Sequence, residues 1–80
     1  MTINIQNEII ELIKISSNKK IKKINNKQLI IGDLLDSFDM IKFISNLEKR
    51  YKIKLNSKDL SIHNFEKLSE IVNLIKNKIK

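Results

Sequence analysis

The sequence predicts a small all-α protein, and three observations support this fold class. The chain has no proline and a single glycine, Gly32, so it lacks the residues that most often interrupt helices or turn hairpins. Apolar residues recur at helical spacing in three separate stretches. A length of 80 residues, 41% of them hydrophobic, suffices for one folded domain but not for two. We therefore expect a single domain over residues 1–80, built as a four-helix bundle of three main helices and one short helix, with a long loop between helices I and II.

Helix I is predicted from Asn4 to about Ile15. Its apolar side chains are spaced by four, three and one residues, which places them on one helix face: Ile5, Ile9, Leu12 and Ile13. The polar run from Ser16 to Asn18 ends it, because these side chains compete for backbone hydrogen bonds.

A long loop is predicted from Ser17 to Asp33. It is rich in polar residues, namely Lys19, Lys20, Lys22, Lys23, Asn25 and Asn26. Connections of this length are uncommon unless they are functional or held by contacts of their own. We expect the apolar residues near its end to hold it in place: Leu29 to Ile31, Leu34 and Leu35.

Helix II is predicted from Ser37 to about Tyr51. Asp36 and Asp39 form an N-cap arrangement, with acidic groups near the positive end of the helix dipole. The expected buried stripe consists of Phe38, Ile41, Ile44, Leu47 and Tyr51, widened by Met40 and Phe43.

The C-terminal third is predicted to hold a short helix and a long one. Lys52 to Leu55 is interpreted as a connector, because no partner strand is evident. Ser57 to Ile62 is expected to form one or two helical turns with Leu60 facing inward. Helix IV is predicted from about Phe65 to Lys78, on the spacing of Leu68, Ile71, Val72, Ile75 and Ile79.

Composition argues against several classes of protein. Without cysteine there are no disulfides or thiolate metal sites, and the lone His63 has no catalytic partner near it in sequence. We therefore expect neither a metal site nor an enzyme. No apolar run approaches the roughly 18 residues that span a bilayer, and no signal-peptide pattern opens the chain, so we expect a cytoplasmic monomer without membrane insertion.

The net charge of +7 raises nucleic acid as a partner. Genome composition is a simpler explanation of this charge, since Ile, Lys and Asn make up 42 of the 80 residues and their codons are rich in A and T. The run from Lys19 to Lys23 reads more simply as a solvated loop than as a phosphate-contacting patch, because aromatic stacking residues are missing nearby. We expect no nucleic-acid partner. A small basic helical module that binds nucleic acid or another protein remains the alternative function.

Ser37 is the candidate functional residue. A serine in the first helical turn offers an accessible hydroxyl on a stable backbone, beside free N–H groups that tolerate added negative charge. Position alone leaves it an ordinary helix-start serine. However, the run Gly32-Asp33-Leu34-Leu35-Asp36-Ser37-Phe38-Asp39-Met40-Ile41 resembles the phosphopantetheine attachment motif of the acyl carrier protein family, whose core is Asp-Ser followed by a large apolar residue.

The resemblance extends through the C-terminal half. Leu47-Glu48-Lys49-Arg50-Tyr51-Lys52-Ile53 is similar to the family's Leu-Glu-x-x-aromatic-x-Ile segment. Three later runs resemble discrete carriers related to D-alanyl and aminoacyl carrier proteins, namely Asp59-Leu60, Asn64-Phe65 and Ile71-Val72-x-Leu74-Ile75. Helix I matches by pattern only.

The resemblance implies a carrier that is not itself an enzyme. A phosphopantetheinyl transferase would attach 4′-phosphopantetheine covalently to Ser37, and Asp36 would help to orient that transferase and its metal. An acyl- or aminoacyl-loading ligase and a downstream acyl transferase would be the other partners. Their docking residues would be Phe38, Met40, Ile41, Lys42 and Glu48.

Helix II departs from the family pattern in its charge. Family members are usually acidic there, but this chain has Lys42, Lys49 and Arg50 beside only Asp39 and Glu48. Because electrostatic complementarity sets specificity, partners of a basic face should differ from the usual basic ones. We therefore expect a dedicated biosynthetic pathway rather than a housekeeping role in fatty-acid synthesis.

Overall fold

Helix α1 (Ile5–Ser16) begins one residue after its predicted start at Asn4. The side chain of Asn4 caps it by accepting a hydrogen bond from the backbone N–H of Asn7 at 3.1 Å. It ends at Ser17, whose backbone is extended. The computed structural model describes residues 4–21, 23–24 and 29–79, so Lys22, Asn25 and Asn26 of the predicted loop lie outside the described residues.

Helix α2 (Ser37–Tyr51) has the predicted bounds. The Asp36 side chain caps its start by accepting a hydrogen bond from the Asp39 N–H at 2.8 Å, and the Asp39 side chain accepts one from the Asp36 N–H at 3.2 Å. This reciprocal pair is a capping box. The helix ends at Lys52, whose left-handed backbone (φ 54°, ψ 49°) turns the chain away.

The predicted buried stripe of α2 is partly wrong. Phe43 and Leu47 are fully buried, but Phe38 and Ile41 are exposed. Phe38 lies nine residues before Leu47, and at about 100° per residue these two side chains point in opposite directions. The core side of α2 therefore passes through Asp39, which is 1% exposed, and leaves Phe38 on the solvent side.

The segment before α2 is held in place by hydrogen bonds. Residues Ile30–Leu34 form a wide turn, closed by the Leu35 N–H donating to the Ile30 carbonyl at 2.8 Å. The Ile30 N–H donates to the Glu66 carbonyl at 2.7 Å, which ties the turn to the segment before the last helix. Ile30, Leu34 and Leu35 are buried as expected, whereas Leu29 is exposed and does not hold the loop.

The chain after α2 differs from its predicted helices in detail. The connector from Lys52 to Leu55 is confirmed. The predicted short helix from Ser57 to Ile62 is only a single turn over residues 57–60, in which the Leu60 N–H donates to the Asn56 carbonyl at 3.0 Å. Leu60 is exposed rather than facing inward. A one-turn 3₁₀ helix follows at Ile62–Asn64.

Helix α3 (Leu68–Lys78) begins three residues later than predicted. Its start is fixed by the Glu70 carboxylate, which accepts a hydrogen bond from the Lys67 N–H at 3.2 Å. Leu68, Ile71, Val72 and Ile75 are buried as the pattern predicts, but Ile79 lies beyond the helix and is exposed. Lys78 pairs with Asp59, and this hydrogen bond, aided by the Asn56 N–H, lowers the pKa of the Asp59 carboxyl.

The helices share one hydrophobic core, as expected for a small all-α bundle. Helix α1 packs against both α2 and α3. The core comprises Ile9, Leu12, Ile13, Ile30, Leu34, Leu35, Phe43, Leu47, Leu55, Phe65, Leu68, Ile71, Val72 and Ile75. At its centre the rings of Phe43 and Phe65 meet edge to face with centroids 6.4 Å apart. No helix in the described part of the chain is long and apolar enough to cross a membrane.

Polar contacts fix α1 antiparallel to α2. The Tyr51 hydroxyl, at the end of α2, donates to the Glu8 carboxylate near the start of α1 at 2.8 Å. At the end of α1, the Ser16 hydroxyl accepts a hydrogen bond from the amide of Asn46, which lies earlier in α2 than Tyr51, at 3.0 Å. Burial and the bond to Glu8 both raise the pKa of Tyr51, so the phenol stays protonated and keeps donating.

Candidate functional site

Ser37 occupies the first position of α2 and is exposed to solvent. Asp36, the residue before it, serves as the helix cap, so the Ser37 hydroxyl is not needed for that role. No hydrogen bond joins the Ser37 hydroxyl to another of the described residues. The geometry therefore presents an accessible hydroxyl, without a hydrogen bond to the described part of the chain, at the positive end of a helix dipole.

Asp39 holds the loop after α1 against the start of α2. Its Oδ2 atom accepts from the Asp36 N–H and, at 3.4 Å, from the Asn18 N–H. Nearby, the Ser17 hydroxyl donates to the Leu34 carbonyl at 2.8 Å. Ser17 and Asn18 lie at the start of the long loop and Leu34 lies just after it, so these bonds hold both ends of the loop near the start of α2. The backbone that carries Ser37 is therefore fixed in position.

An open cleft of about 440 Å³ lies beside Ser37. Its lining is mainly apolar and comes from the wide turn, α2 and the turn before the 3₁₀ helix: Ile31, Gly32, Leu35, Asp36, Ser37, Met40, Ile44 and Leu60. This volume falls within the roughly 300–1,000 Å³ of small-molecule sites. Asp36, Ser37 and Met40, which the sequence singled out, are thus brought together at one cleft.

A second open groove, of about 430 Å³, lies between the end of α1 and the adjacent side of α2. It is lined by Ile15, Ser16, Ile41, Lys42, Ser45, Asn46 and Lys49, and we call it the basic groove. Ile41 and Lys42, two of the predicted docking residues, belong to it. Phe38 lines neither cavity and is 76% exposed.

The exposed charges of α2 are all positive. Lys42, Lys49 and Arg50 are exposed, whereas the two acids of this helix turn inward. Asp39 is buried at the cap, and the Glu48 carboxylate accepts a hydrogen bond from the Leu55 N–H at 2.9 Å. Glu48, predicted to dock partners, is thus half-buried and supports the connector after α2.

The lone histidine, His63, is exposed, and its Nδ1 atom lies 3.1 Å from the Glu66 carboxylate. Within residues 4–21, 23–24 and 29–79, no three acidic or histidine side chains come together as metal ligands would.

Sequence reasoning missed several residues of the two cavities. Leu60 and Ile44 were assigned to the interior, and Ile31 and Leu35 only to holding the loop, although all four line the cleft. Ile15 was taken only as the end of helix I. The spacing of Ile15 indicated that it is exposed, because Ile15 lies three residues after Leu12 and six after Ile9. At about 100° per residue it is rotated by about 60° and 120° from those two buried side chains.

Comparisons of this chain with protein-family models, with curated proteins and with solved structures gave no match.

Proposed function

We propose that this chain is an acyl carrier protein whose Ser37 carries a 4′-phosphopantetheine arm. The observation that carries the proposal is the Ser37 hydroxyl, which is exposed at the first position of α2 and borders an apolar cleft. When bound, the arm would supply a thiol that holds an acyl or aminoacyl group as a thioester.

The attachment step requires little of the chain beyond positioning. The Ser37 oxygen would form a bond to the phosphorus next to the pantetheine arm of coenzyme A, the pyrophosphate bond would break, and adenosine 3′,5′-bisphosphate would leave. The hydroxyl proton would pass to a base on the transferase. Asp36, exposed beside Ser37, offers that enzyme a carboxylate while its Oδ1 atom caps the helix.

The apolar cleft supports an acyl cargo. The cleft offers side chains that can cover a hydrocarbon chain, namely the half-buried Ile31, Met40 and Ile44 and the exposed Leu60. Each methylene group removed from water contributes about 0.8 kcal/mol. The cleft is open, so its contents remain accessible to enzymes.

The sequence resemblance supports the same function independently of the cavity. The run from Gly32 to Ile41 places Asp-Ser and a large apolar residue at the start of a helix, as the carrier attachment motif does. The exposed charge of α2 is positive where most carriers are acidic, which favours a dedicated pathway with its own loading ligase and acyl transferase.

The test is the intact mass of the chain after coexpression with a phosphopantetheinyl transferase of broad specificity. We expect wild type to gain the mass of one arm and Ser37→Ala to gain none. Ser57→Ala is the matched control, because Ser57 is also exposed but lies in a turn. Circular dichroism should give the same helix content for all three proteins. An unmodified wild type would overturn the proposal, and a modified Ser37→Ala would overturn the site.

A further inference from the structure

The basic groove contains four polar side chains of α2 that lie on one side of the helix: Lys42, Ser45, Asn46 and Lys49. Their spacing places them within an arc of about 100° around the helix axis. The two lysines are seven residues apart, about 10 Å along the axis, and their flexible stems allow both ammonium groups to approach the two side chains between them. The groove can therefore direct four hydrogen-bonding side chains at one ligand.

A buried hydroxyl fixes the position of the Asn46 amide in this groove. Ser16 is 1% exposed, and its hydroxyl donates to the Leu12 carbonyl at 2.7 Å while accepting a hydrogen bond from the Asn46 amide at 3.0 Å. A side-chain amide has two N–H donors, of which Ser16 uses one. Because Asn46 lines the groove, its second N–H is available to a ligand there.

The groove is positively charged. Its lining residues include two lysines and no carboxylate. No ion pair within residues 4–21, 23–24 and 29–79 involves Lys42 or Lys49. The two acids of α2 are engaged elsewhere, because Asp39 is buried at the helix cap and Glu48 accepts a hydrogen bond from the connector. The two ammonium groups thus favour a ligand with two negative charges.

Ile15 and Ile41 form the apolar part of the groove. They come from different helices, both line the groove, and they are 69% and 68% exposed. Covering such side chains with an organic group removes apolar surface from water and favours binding. A ligand that satisfies the whole groove therefore combines a doubly charged anionic group with a short apolar group.

We infer that the basic groove is a binding site for small phosphate monoesters, with the phosphate between Lys42 and Lys49 and the apolar part of the molecule against Ile15 and Ile41. A phosphate monoester carries close to two negative charges at neutral pH and has three strong acceptor oxygens. A carboxylate or a phosphodiester has a single charge and would satisfy only one lysine. The volume of about 430 Å³ falls within the range of small-molecule sites. The inference is independent of the carrier function, because it assigns no role to Ser37.

A free small molecule fits the groove better than a polymer or a membrane. The phosphodiesters of nucleic acid are singly charged, and Phe38, the exposed ring of α2 on which a base could stack, does not line the groove. A lipid headgroup can present the same phosphate monoester, but its acyl chains remain in the bilayer and would not cover Ile15 and Ile41 inside the groove. The free ligand alone satisfies the charged and the apolar parts together.

The experiment is an NMR titration of the full, unmodified, ¹⁵N-labelled chain with hexyl phosphate at constant ionic strength. We expect saturable shifts of the amide signals of Ile15, Ser45 and Asn46, with a dissociation constant in the millimolar range because exposed ion pairs contribute little. Hexyl sulfate has the same shape but one charge, and methyl phosphate has the same charge but little apolar surface. Each should bind at least about fivefold more weakly, since each lacks one of the two contributions.

Matched substitutions test the role of the groove. Lys42→Gln with Lys49→Gln should weaken binding of hexyl phosphate at least about tenfold, which corresponds to about 1.4 kcal/mol. Lys54→Gln with Lys76→Gln lowers the net charge equally at exposed positions outside the groove and should change binding less than about twofold. Ile41→Ser should remove the preference for hexyl over methyl phosphate and leave binding of methyl phosphate unchanged. Circular dichroism checks that each variant keeps its helix content.

Each other outcome overturns the inference. Without saturable shifts, or with equal weakening by the two lysine pairs, the groove would not be a specific site. Equal binding of hexyl phosphate and hexyl sulfate would reject selection of a dianion. Binding of phosphatidic acid vesicles or of an oligothymidylate, without binding of hexyl phosphate, would assign the lysines to a lipid headgroup or to nucleic acid instead. The titration needs no arm on Ser37, so its failure would leave the mass measurement of the carrier function unaffected.

Discussion

At the scale of single residues, Asp36 and Ser37 are neighbours with separate tasks. The Asp36 carboxylate accepts the Asp39 N–H and thereby caps α2, while the Ser37 side chain stays outside the capping box. Were Ser37 itself the cap, its hydroxyl would be committed to a backbone amide. Placing the cap one residue earlier leaves the serine available on the same rigid helix start.

Because the Asp36 side chain both caps the helix and carries a charge, we predict that two substitutions separate the effect of the cap on stability from the effect of the charge on attachment of the arm. Asp36→Ala removes the cap acceptor and should lower the free energy of unfolding by about 1 kcal/mol, whereas Asp36→Asn keeps an acceptor and should retain most of the stability. Urea denaturation measures both. If the carboxylate also guides the transferase, Asp36→Asn should slow attachment of the arm although its helix is intact.

The two outcomes are readily distinguished. Equal stability of Asp36→Ala and wild type would contradict the cap. A rate of modification for Asp36→Asn equal to that of wild type would remove the recognition role while leaving the cap in place.

Asp39 illustrates a residue whose role the sequence indicated only in part. Its place three residues after Asp36 correctly predicted a contribution to the helix start. Its burial and its bond to the Asn18 N–H, 21 residues earlier in the chain, depend on where the long loop passes. Local spacing carries no information about such a contact, so this hydrogen bond could not be predicted, whereas the burial of Ile30, Leu34 and Leu35 at the end of the loop was predicted.

At the scale of elements, the start of α2 was predictable because Asp36 and Asp39 form a local capping pair. Asn4 caps α1, although the sequence pattern placed it inside that helix. The start of α3 was misplaced because Phe65 fits the apolar pattern but serves as a core residue before the helix. The exposed face of α2 was missed because the predicted stripe advanced in steps of three residues. Each step falls about 60° short of a full turn, so the three steps from Leu47 back to Phe38 end on the opposite side of the helix.

The wide turn before α2 depends on Gly32. Its backbone (φ 100°, ψ −49°) lies where L-residues are strained, while a Cβ atom at this position would meet nothing within 4 Å. The Gly32 N–H also donates to the Leu35 carbonyl at 2.9 Å. Any loss on substitution would therefore come from backbone conformation and not from a clash.

We predict that Gly32→Ala lowers the free energy of unfolding by about 1–3 kcal/mol. A chain made by chemical synthesis with D-alanine at position 32 is the matched control, because a D-residue prefers positive φ and should keep nearly the full stability of wild type. Thermal and urea denaturation of the three proteins measure the effect. Equal destabilisation by L- and D-alanine would show that conformation at Gly32 is not the cause.

At the scale of the whole molecule, positive charge is spread over the surface while the acids are largely engaged. The chain has 16 Lys and Arg residues against 9 Asp and Glu. Asp39 and Glu48 accept backbone hydrogen bonds, and Asp59 pairs with Lys78. Composition predicted the net charge of +7, but only the fold reveals that α2 exposes cations alone.

An excess of like charge makes the folded state repel itself, and added salt screens that repulsion. We therefore predict that Tm rises when NaCl increases from about 20 mM to about 500 mM, a range over which the Debye length falls from roughly 20 Å to below 5 Å. Exposed ion pairs such as Arg50 with Glu8 weaken over the same range, but each contributes little. The repulsion among unpaired lysines should prevail.

A charge-reduced variant separates screening from other effects of salt. The variant combines three reversals at exposed positions: Lys20→Glu, Lys54→Glu and Lys76→Glu. Each reversal lowers the net charge by two, so together they lower it from +7 to about +1. This variant should be at least as stable as wild type at low salt and should lose most of the rise in Tm with NaCl. A salt response equal to that of wild type would show that self-repulsion does not limit stability, and the basic surface would then be retained at no energetic cost to the fold.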